Sequence, residues 1–353
     1  MFEVRHGSPV HWILRFVGVA VTVALVLYVP TQMSTARVGQ FADAFALAIA
    51  ALSLNLVLGY TGQISIGHSA FFGIGGYTSA ILVTEHGWSP GYTFFAAAAV
   101  TFVVGCLIGL PALRIRGVYL ALVTLAVAVL FPTLVRWRKL EWLTNGAKGI
   151  DGVKYDQIPE WPLLGELKGR DGRAVFAYWL AFVVLVVAYL VVRGIVKSRV
   201  GRSLIAIRDN ETAAAVMGVD ITSTKVLVFG VSAALCSSSG VLFALRTGLV
   251  TPDSQNITLL GSIIFLLIMV IGGSATLGGP IVGAVVYVIF DNATRDLGKT
   301  KTGFMGTLFG WADSSPATLL LAVGLLLVMF VAPFGLVGLA RRVGRLVVRV
   351  APE

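Results

Sequence analysis

The run LSLNLVLGYTGQISIGHSAFFGIGGYTSA, Leu52 to Ala80, decides how the rest of the chain is read. An apolar stretch leads into Gly59, Gly62, Gln63, Ser65, Gly67, His68 and Ser69, and a second apolar stretch carries Gly73, Gly75 and Gly76. This is the pattern of an apolar helix interrupted by a polar, glycine-rich break. In lipid a backbone must satisfy its own hydrogen bonds, so such a break is tolerated only where protein or a water-filled path surrounds it. Broken helices of this kind often line a translocation route. Small residues also suit close helix packing, as from Gly73 to Tyr77. The residues alone leave both readings open.

Outward from this run the apolar blocks continue. The chain has 353 residues, 57% hydrophobic and 12% charged, where a soluble domain carries about 25% charged residues. Too little polar surface remains to coat a water-soluble globule. A helix crossing about 30 Å of hydrocarbon needs about 20 residues. Candidate spans are 12–30, 40–59, 64–84, 92–111, 117–135, 174–193, 225–246, 258–272, 276–292 and 317–338. The expected fold is all-α: a polytopic transmembrane helical bundle of about 10 spans, forming a single membrane domain over 1–353. Continuous apolar runs argue against a barrel, whose strands alternate in short pieces. The spans at 258–272 and 276–292 are short and joined by glycines, so they read as short spans or a re-entrant pair. The block 12–30 has only a weak cleavage match at Ser34-Thr35-Ala36 and reads as an uncleaved first helix.

The net charge is +10. In a membrane protein this reflects Lys and Arg in short inner loops and tails, not nucleic-acid binding. The expected arrangement places 136–173 outside, 194–224 inside and 291–316 outside. Arg136, Arg138 and Lys139 abut a helix end on the outer side, against the usual bias. Cys106 and Cys236 lie in apolar blocks without metal or redox spacing and read as small buried hydrophobes.

Three further features carry chemistry. Gly272, Gly273, Ser274, Gly278 and Gly279 form a fainter second break, on the same side as the first. Residues 198–220 mix Arg202, Arg208, Asp209, Asn210 and Glu211 with Leu204, Ile207, Ala214 and Met217 at partial helical spacing, and stop at Gly218. Such a charged amphipathic helix lies on the lipid surface or docks into a partner. Asp43 is a carboxylate inside the candidate span 40–59; near a helix end it is expected to reach the interface, the alternative being a cavity or a partner. No phosphate-binding G-x-x-x-x-G-K-[ST] loop occurs. Gly298-Lys299-Thr300 mimics its end, but Ala293 stands where the first glycine is needed. No catalytic constellation stands out, so the chain is not expected to be an enzyme or to hold a cofactor or metal.

The run from Leu52 to Ala80 resembles the signature of the high-affinity branched-chain amino acid importer permeases. So do LRIRGVYLALVTLA (113–126), LTNGAKGIDGV (143–153), GRSLIAIRDNETAAAVMGV (201–219) and SATLGGPIVGA (274–284). The closer likeness is to the longer of the two paired permease subunits, and it extends over about residues 40–290. The resemblance implies an ABC importer of the bacterial cytoplasmic membrane. Two different permeases would form the pore, two cytoplasmic ATPases would bind ATP, and an extracytoplasmic protein would deliver substrate. Residues 198–220 would be the coupling segment. Ala213, Ala214 and Gly218 fit the ABC-permease spacing there, while Thr212 stands at the Glu position and Glu211 one place early.

On that reading Asn55, Gln63, Ser65, His68 and Ser69 line the substrate pathway, able to hydrogen-bond a zwitterion. Gly59, Gly62, Gly67, Gly272 and Gly273 act as gating glycines, and Arg202, Arg208, Asp209, Asn210, Glu211, Ala213, Ala214 and Gly218 couple to the ATPase. Urea or short-chain amide import is the alternative within the class. An ion-coupled secondary carrier is the alternative outside it, and would call for more intramembrane charge than these spans offer.

Overall fold

The computed structural model describes residues 2–5, 24, 26–28, 30–112, 118–153, 170–299, 330, 335–339, 342 and 348–351. The expected spans 12–30 and 317–338 lie mostly outside the described residues, as does the later part of the 136–173 loop. The helices are α1 (Thr35–Thr61), α2 (His68–Thr84), α3 (Pro90–Ala112), α4 (Val118–Val135), α5 (Glu141–Thr144) and α6 (Arg170–Lys197). They continue with α7 (Arg199–Asp209), α8 (Glu211–Val216), α9 (Ile221–Thr247), α10 (Leu259–Gly272) and α11 (Gly279–Lys299). Two small sheets depart from the all-α expectation. Strand β1 (Phe2–Arg5) pairs in parallel with β4 (Val348–Ala351), and β2 (Ile150–Asp151) antiparallel with β3 (Leu249–Val250).

Among the described residues, α1, α3, α6 and α9 are long and apolar enough to cross a membrane. A fifth span results if α4 is joined to the helical stretch Arg138–Thr144, bent from it by 63°. Helices α10 and α11 are apolar but shorter in their apolar part. The expected span 64–84 begins late, at His68, because residues 62–67 form no helix. The polar segment expected from 291 is helical as far as Lys299, since α11 runs on past its apolar part. The 194–224 segment, expected as one amphipathic helix, is two. Asn210 leaves the helical region and its side chain accepts from the Ala213 amide, so the residue that ends α7 starts α8.

Helix α9 is the hub, packing against α1, α2, α3 and α6. Its partnership with α1 is antiparallel. Asp43 meets Arg246 near one end, and the Ser239 hydroxyl donates to the Ala46 carbonyl one turn in. At mid-length Ser232 donates to Ser53 O over 2.6 Å. Lipid offers no hydrophobic drive for helix association, so close contact and interhelical hydrogen bonds carry it. Gly75 and Gly240 provide the contact: a Cβ on Gly75 would strike the Ser237 backbone, and one on Gly240 the Phe72 carbonyl.

Phe95, Val103, Leu107, Tyr119, Leu122 and Leu190 point outward and are more than half exposed, the surface a lipid or a second subunit would cover. Asp43 pairs with Arg246 near the helix end and keeps 31% of its side chain exposed.

Candidate functional site

The two glycine-rich breaks meet. Helix α1 ends at Gly62, whose φ of 70° places it in the left-handed region glycine adopts freely. The amides of Gly62 and Gln63 turn back to the carbonyls of Leu58 and Val57 at 3.1 and 3.3 Å, an αL-type closure. One turn earlier, the Asn55 side chain is fully buried and spans to the second break: its Nδ2 donates to Thr276 O over 2.8 Å, and its Oδ1 accepts from Ala275 N over 2.9 Å. Gly59 allows this approach, because a Cβ there would sit 2.7 Å from Ala275 N. Ala275 itself takes a φ of 55°, so the second break is held in an uncommon conformation by these bonds. Gly272 and Gly273 join that loop, with Gly272 against the Gly279 backbone and Gly273 at φ 118°.

The α7–α8 segment reaches the same place. Arg208 Nη1 donates to the Gly59 carbonyl over 3.1 Å, while its Nε and Nη2 bond Asp209 at 3.2 Å. Arg208 also lies over Gly62, where a Cβ would meet its Cγ at 3.0 Å. Thus the polar segment, the end of α1 and the second break are linked through Arg208, Gly59 and Asn55.

The remaining break residues point into protein. Gly67 sits on the α4 backbone, where a Cβ would be 2.8 Å from Thr124 O. His68 is fully buried between Ser65 Oγ, 3.1 Å from Nδ1, and Ser232 Oγ, 2.8 Å from Nε2. Ser232 already donates to Ser53 O, so it accepts from His68 Nε2–H. Ser69 is buried and tied to Ser262 of α10 at 2.8 Å. Gln63 is half-buried. In this conformation Asn55, Ser65, His68 and Ser69 bond protein partners and hold α1, α2, α9 and α10 together.

The family described as branched-chain amino acid transport system / permease component matches residues 38–332. The chain belongs to that family. The permease is 32% identical over 282 residues to the high-affinity branched-chain amino acid transport system permease protein LivM of Salmonella typhimurium. It is 31% identical over 282 residues to the Escherichia coli protein of the same name. Both alignments cover 74% of this chain but only 64% of the relative. It is also 27% identical over 266 residues, 74% of this chain and 72% of the relative, to the autoinducer 2 import system permease protein LsrC of an Enterobacter species. No solved structure matches.

Within the permease, the expected coupling residues divide by exposure. Arg202, Arg208, Asp209, Asn210, Ala213 and Gly218 are exposed. Ala214 is 3% exposed and faces the fold. Glu211 is drawn inward by Lys225 at 2.9 Å, bracing α8 against the start of α9. Sequence reasoning missed the tip. Val216 and Met217 are each 83% exposed, an apolar pair in a polar segment. Met217, expected to share a helix face with Leu204, Ile207 and Ala214, stands exposed just past the end of α8.

Proposed function

We propose that this permease is one of two pore subunits of an ATP-driven importer of branched-chain amino acids in the bacterial cytoplasmic membrane. The observation that carries the reading is the Arg208–Gly59 hydrogen bond, continued by Asn55 into the second break. A push on the polar segment is thereby delivered to both glycine-rich breaks without an intervening flexible linker. That is the connection a separate motor needs if it is to move a pore.

In this reading residues 1–353 form one membrane domain of ten spans, with 136–173 outside and 194–224 in the cytoplasm. A second permease completes the pore, two ATPases bind ATP and dock on the exposed face of α7 and α8, and an extracytoplasmic protein brings substrate. This chain itself binds no ATP and needs no cofactor. When the ATPases close, α7 shifts, the end of α1 follows through Arg208, and the second break follows through Asn55. Separation of the breaks frees Asn55, Gln63, Ser65, His68 and Ser69 to face the opened path. Those polar groups then exchange their present partners for a passing zwitterion. The names of the 32% and 31% identical relatives support the amino-acid class.

The test is uptake by the reconstituted complex. Proteoliposomes holding this chain with its partner permease, ATPases and binding protein are expected to import leucine, isoleucine and valine only with internal ATP hydrolysis. Import driven by a proton or sodium gradient, by this chain alone, would overturn the reading. The second reading is import of an uncharged solute, favoured by the 27% identity to an autoinducer 2 import permease; a preference for sugars, urea or short amides over leucine would establish it.

A further inference from the structure

A cavity of about 270 Å³ opens between α1, α2, α9 and α11 and the stretch before α10. It lies at the end of α1 and α9 away from Arg208. Three helices line it with the same two-level pattern. On α1, Asp43 stands one turn nearer the helix end than Leu47; on α9, Arg246 one turn nearer than Phe243; on α11, Asp291 one turn nearer than Tyr287. Side chains three or four apart share a helix face, so each helix presents a charge above an apolar side chain. Burial follows the same order. Leu47 and Tyr287 are buried, whereas Asp43 and Arg246 keep 31% and 34% of their side chains exposed. The cavity therefore sets charged groups at its mouth above apolar side chains, and amides such as Gln255 and Asn256 complete its lining.

We propose that this cavity is a transient site for the substrate, an aliphatic amino acid held as a zwitterion. The inference rests on the amino-acid reading of the function and gives it a location. Arg246 takes the α-carboxylate, since a guanidinium matches a carboxylate with two parallel donors. Asp43 faces the ammonium, and Phe243, Leu47 and Tyr287 line the space for the hydrocarbon side chain. The volume is near the lower end of small-molecule sites, which begin at about 300 Å³, and suits a single amino acid.

Without substrate, Asp43 and Arg246 pair with each other. An incoming zwitterion must displace that pair, gaining two ionic contacts while one is lost. Binding is weakened by that exchange, and a weak site releases its occupant inward when the breaks move. The internal pair also keeps both charges compensated when the cavity is empty, which an isolated charge at membrane depth would not be.

The experiment uses the assembled complex in proteoliposomes, with binding protein in excess. Arg246→Gln, Asp43→Asn and the double variant, which leaves neither charge unpaired, are measured for leucine uptake. In parallel, Phe243→Cys is placed in a chain with Cys106→Ala and Cys236→Ala, and its labelling by a thiol reagent is timed with and without leucine. The expected result is a loss of uptake of about 10- to 100-fold in each charge variant, the worth of a charge-assisted hydrogen bond, together with labelling slowed by leucine and not by leucinamide. Uptake at the wild-type rate in the double variant overturns the proposal. So does lost uptake with labelling that leucine leaves unchanged, because the pair is then only a structural tie. A wild-type complex that imports no aliphatic amino acid sinks the functional reading itself, whatever the variants do.

Discussion

Arg208 Nη1 donates to the carbonyl oxygen of Gly59 over 3.1 Å, joining residues 149 apart in sequence. The last carbonyls of a helix have no partner within it. At the end of α1, Gly62 and Gln63 serve Leu58 and Val57, and Arg208 serves Gly59. A cation there also complements the negative end of the helix dipole, and Asp209 holds the guanidinium in place. The bond is thus a helix cap supplied by another segment. Displacing that segment either moves the end of α1 or leaves a carbonyl unsatisfied.

Replacing Arg208 with Gln is expected to lower coupled uptake by about 10-fold, since a hydrogen bond to a charged group is worth about 1.5–3 kcal/mol. The complex should still assemble. The decisive measurement is solute imported per ATP hydrolysed. If that ratio stays at the wild-type value, force does not travel through this bond. Replacing Arg208, Asp209 and Glu211 together is expected to abolish uptake while leaving membrane insertion intact.

The fold was legible where the physics is local. Continuous apolar runs located α1, α3, α4, α6 and α9 to within a few residues, because every backbone group of a span bonds inside its own segment. The break after Gly62 was legible for the same reason, as polar residues and glycines interrupt such a run. Three-dimensional juxtaposition was not. Nothing in the spacing of Asn55 shows that its amide would bind Ala275 and Thr276, and nothing at Arg208 shows that it would cap α1. Nothing near Asp43 shows its partner, Arg246, which lies on a helix distant in sequence. The split at Asn210 had a local signal, an N-capping residue ahead of Glu211 and Ala213, that helical periodicity across 204–217 obscured.

Val216 and Met217 form the most exposed apolar pair on the polar segment. Partner contacts concentrate in a few desolvated side chains, each worth about 2 kcal/mol or more. Met217→Asp is expected to weaken association with the ATPase subunits by at least about 10-fold without reducing the amount of permease in the membrane. Co-purification and a binding titration in detergent check this. Unchanged affinity for Met217→Asp and Val216→Asp would show that this tip lies on lipid or in solvent.

Asp220 caps α9, just before the helix begins. Its hydrogen bonds with Ser223 hold the carboxyl below its usual 3.8. A carboxylate whose pKa is lowered by folding contributes stability above its unfolded pKa and loses that contribution as pH falls through the folded value. Asp220→Ala should therefore unfold at a lower temperature than the parent at pH 7. The gap between the two should narrow once the pH drops below 3.8. A gap that stays constant across that range would mean that the cap acts through shape and not charge.

His68 separates packing from pathway. Its ring bridges Ser65 and Ser232 and sits edge-on to Phe71 and Phe229, with centroids 5.6 and 6.3 Å away. Ser232→Ala removes the acceptor of Nε2–H and leaves a buried donor unpaired, at a cost of about 1–3 kcal/mol. Interhelical bonds in membranes average nearer about 0.6 kcal/mol, so the lower part of the range is expected. His68→Ala should cost more, because it also empties the space between two aromatic rings. If His68 only packs, both variants lower the unfolding temperature in detergent and leave the KM of uptake unchanged in the surviving complex. If the ring meets substrate when the breaks open, His68→Ala raises KM while Ser232→Ala does not, since the serine holds the ring only in the closed arrangement. Equal increases in KM for the two variants would contradict both roles as stated.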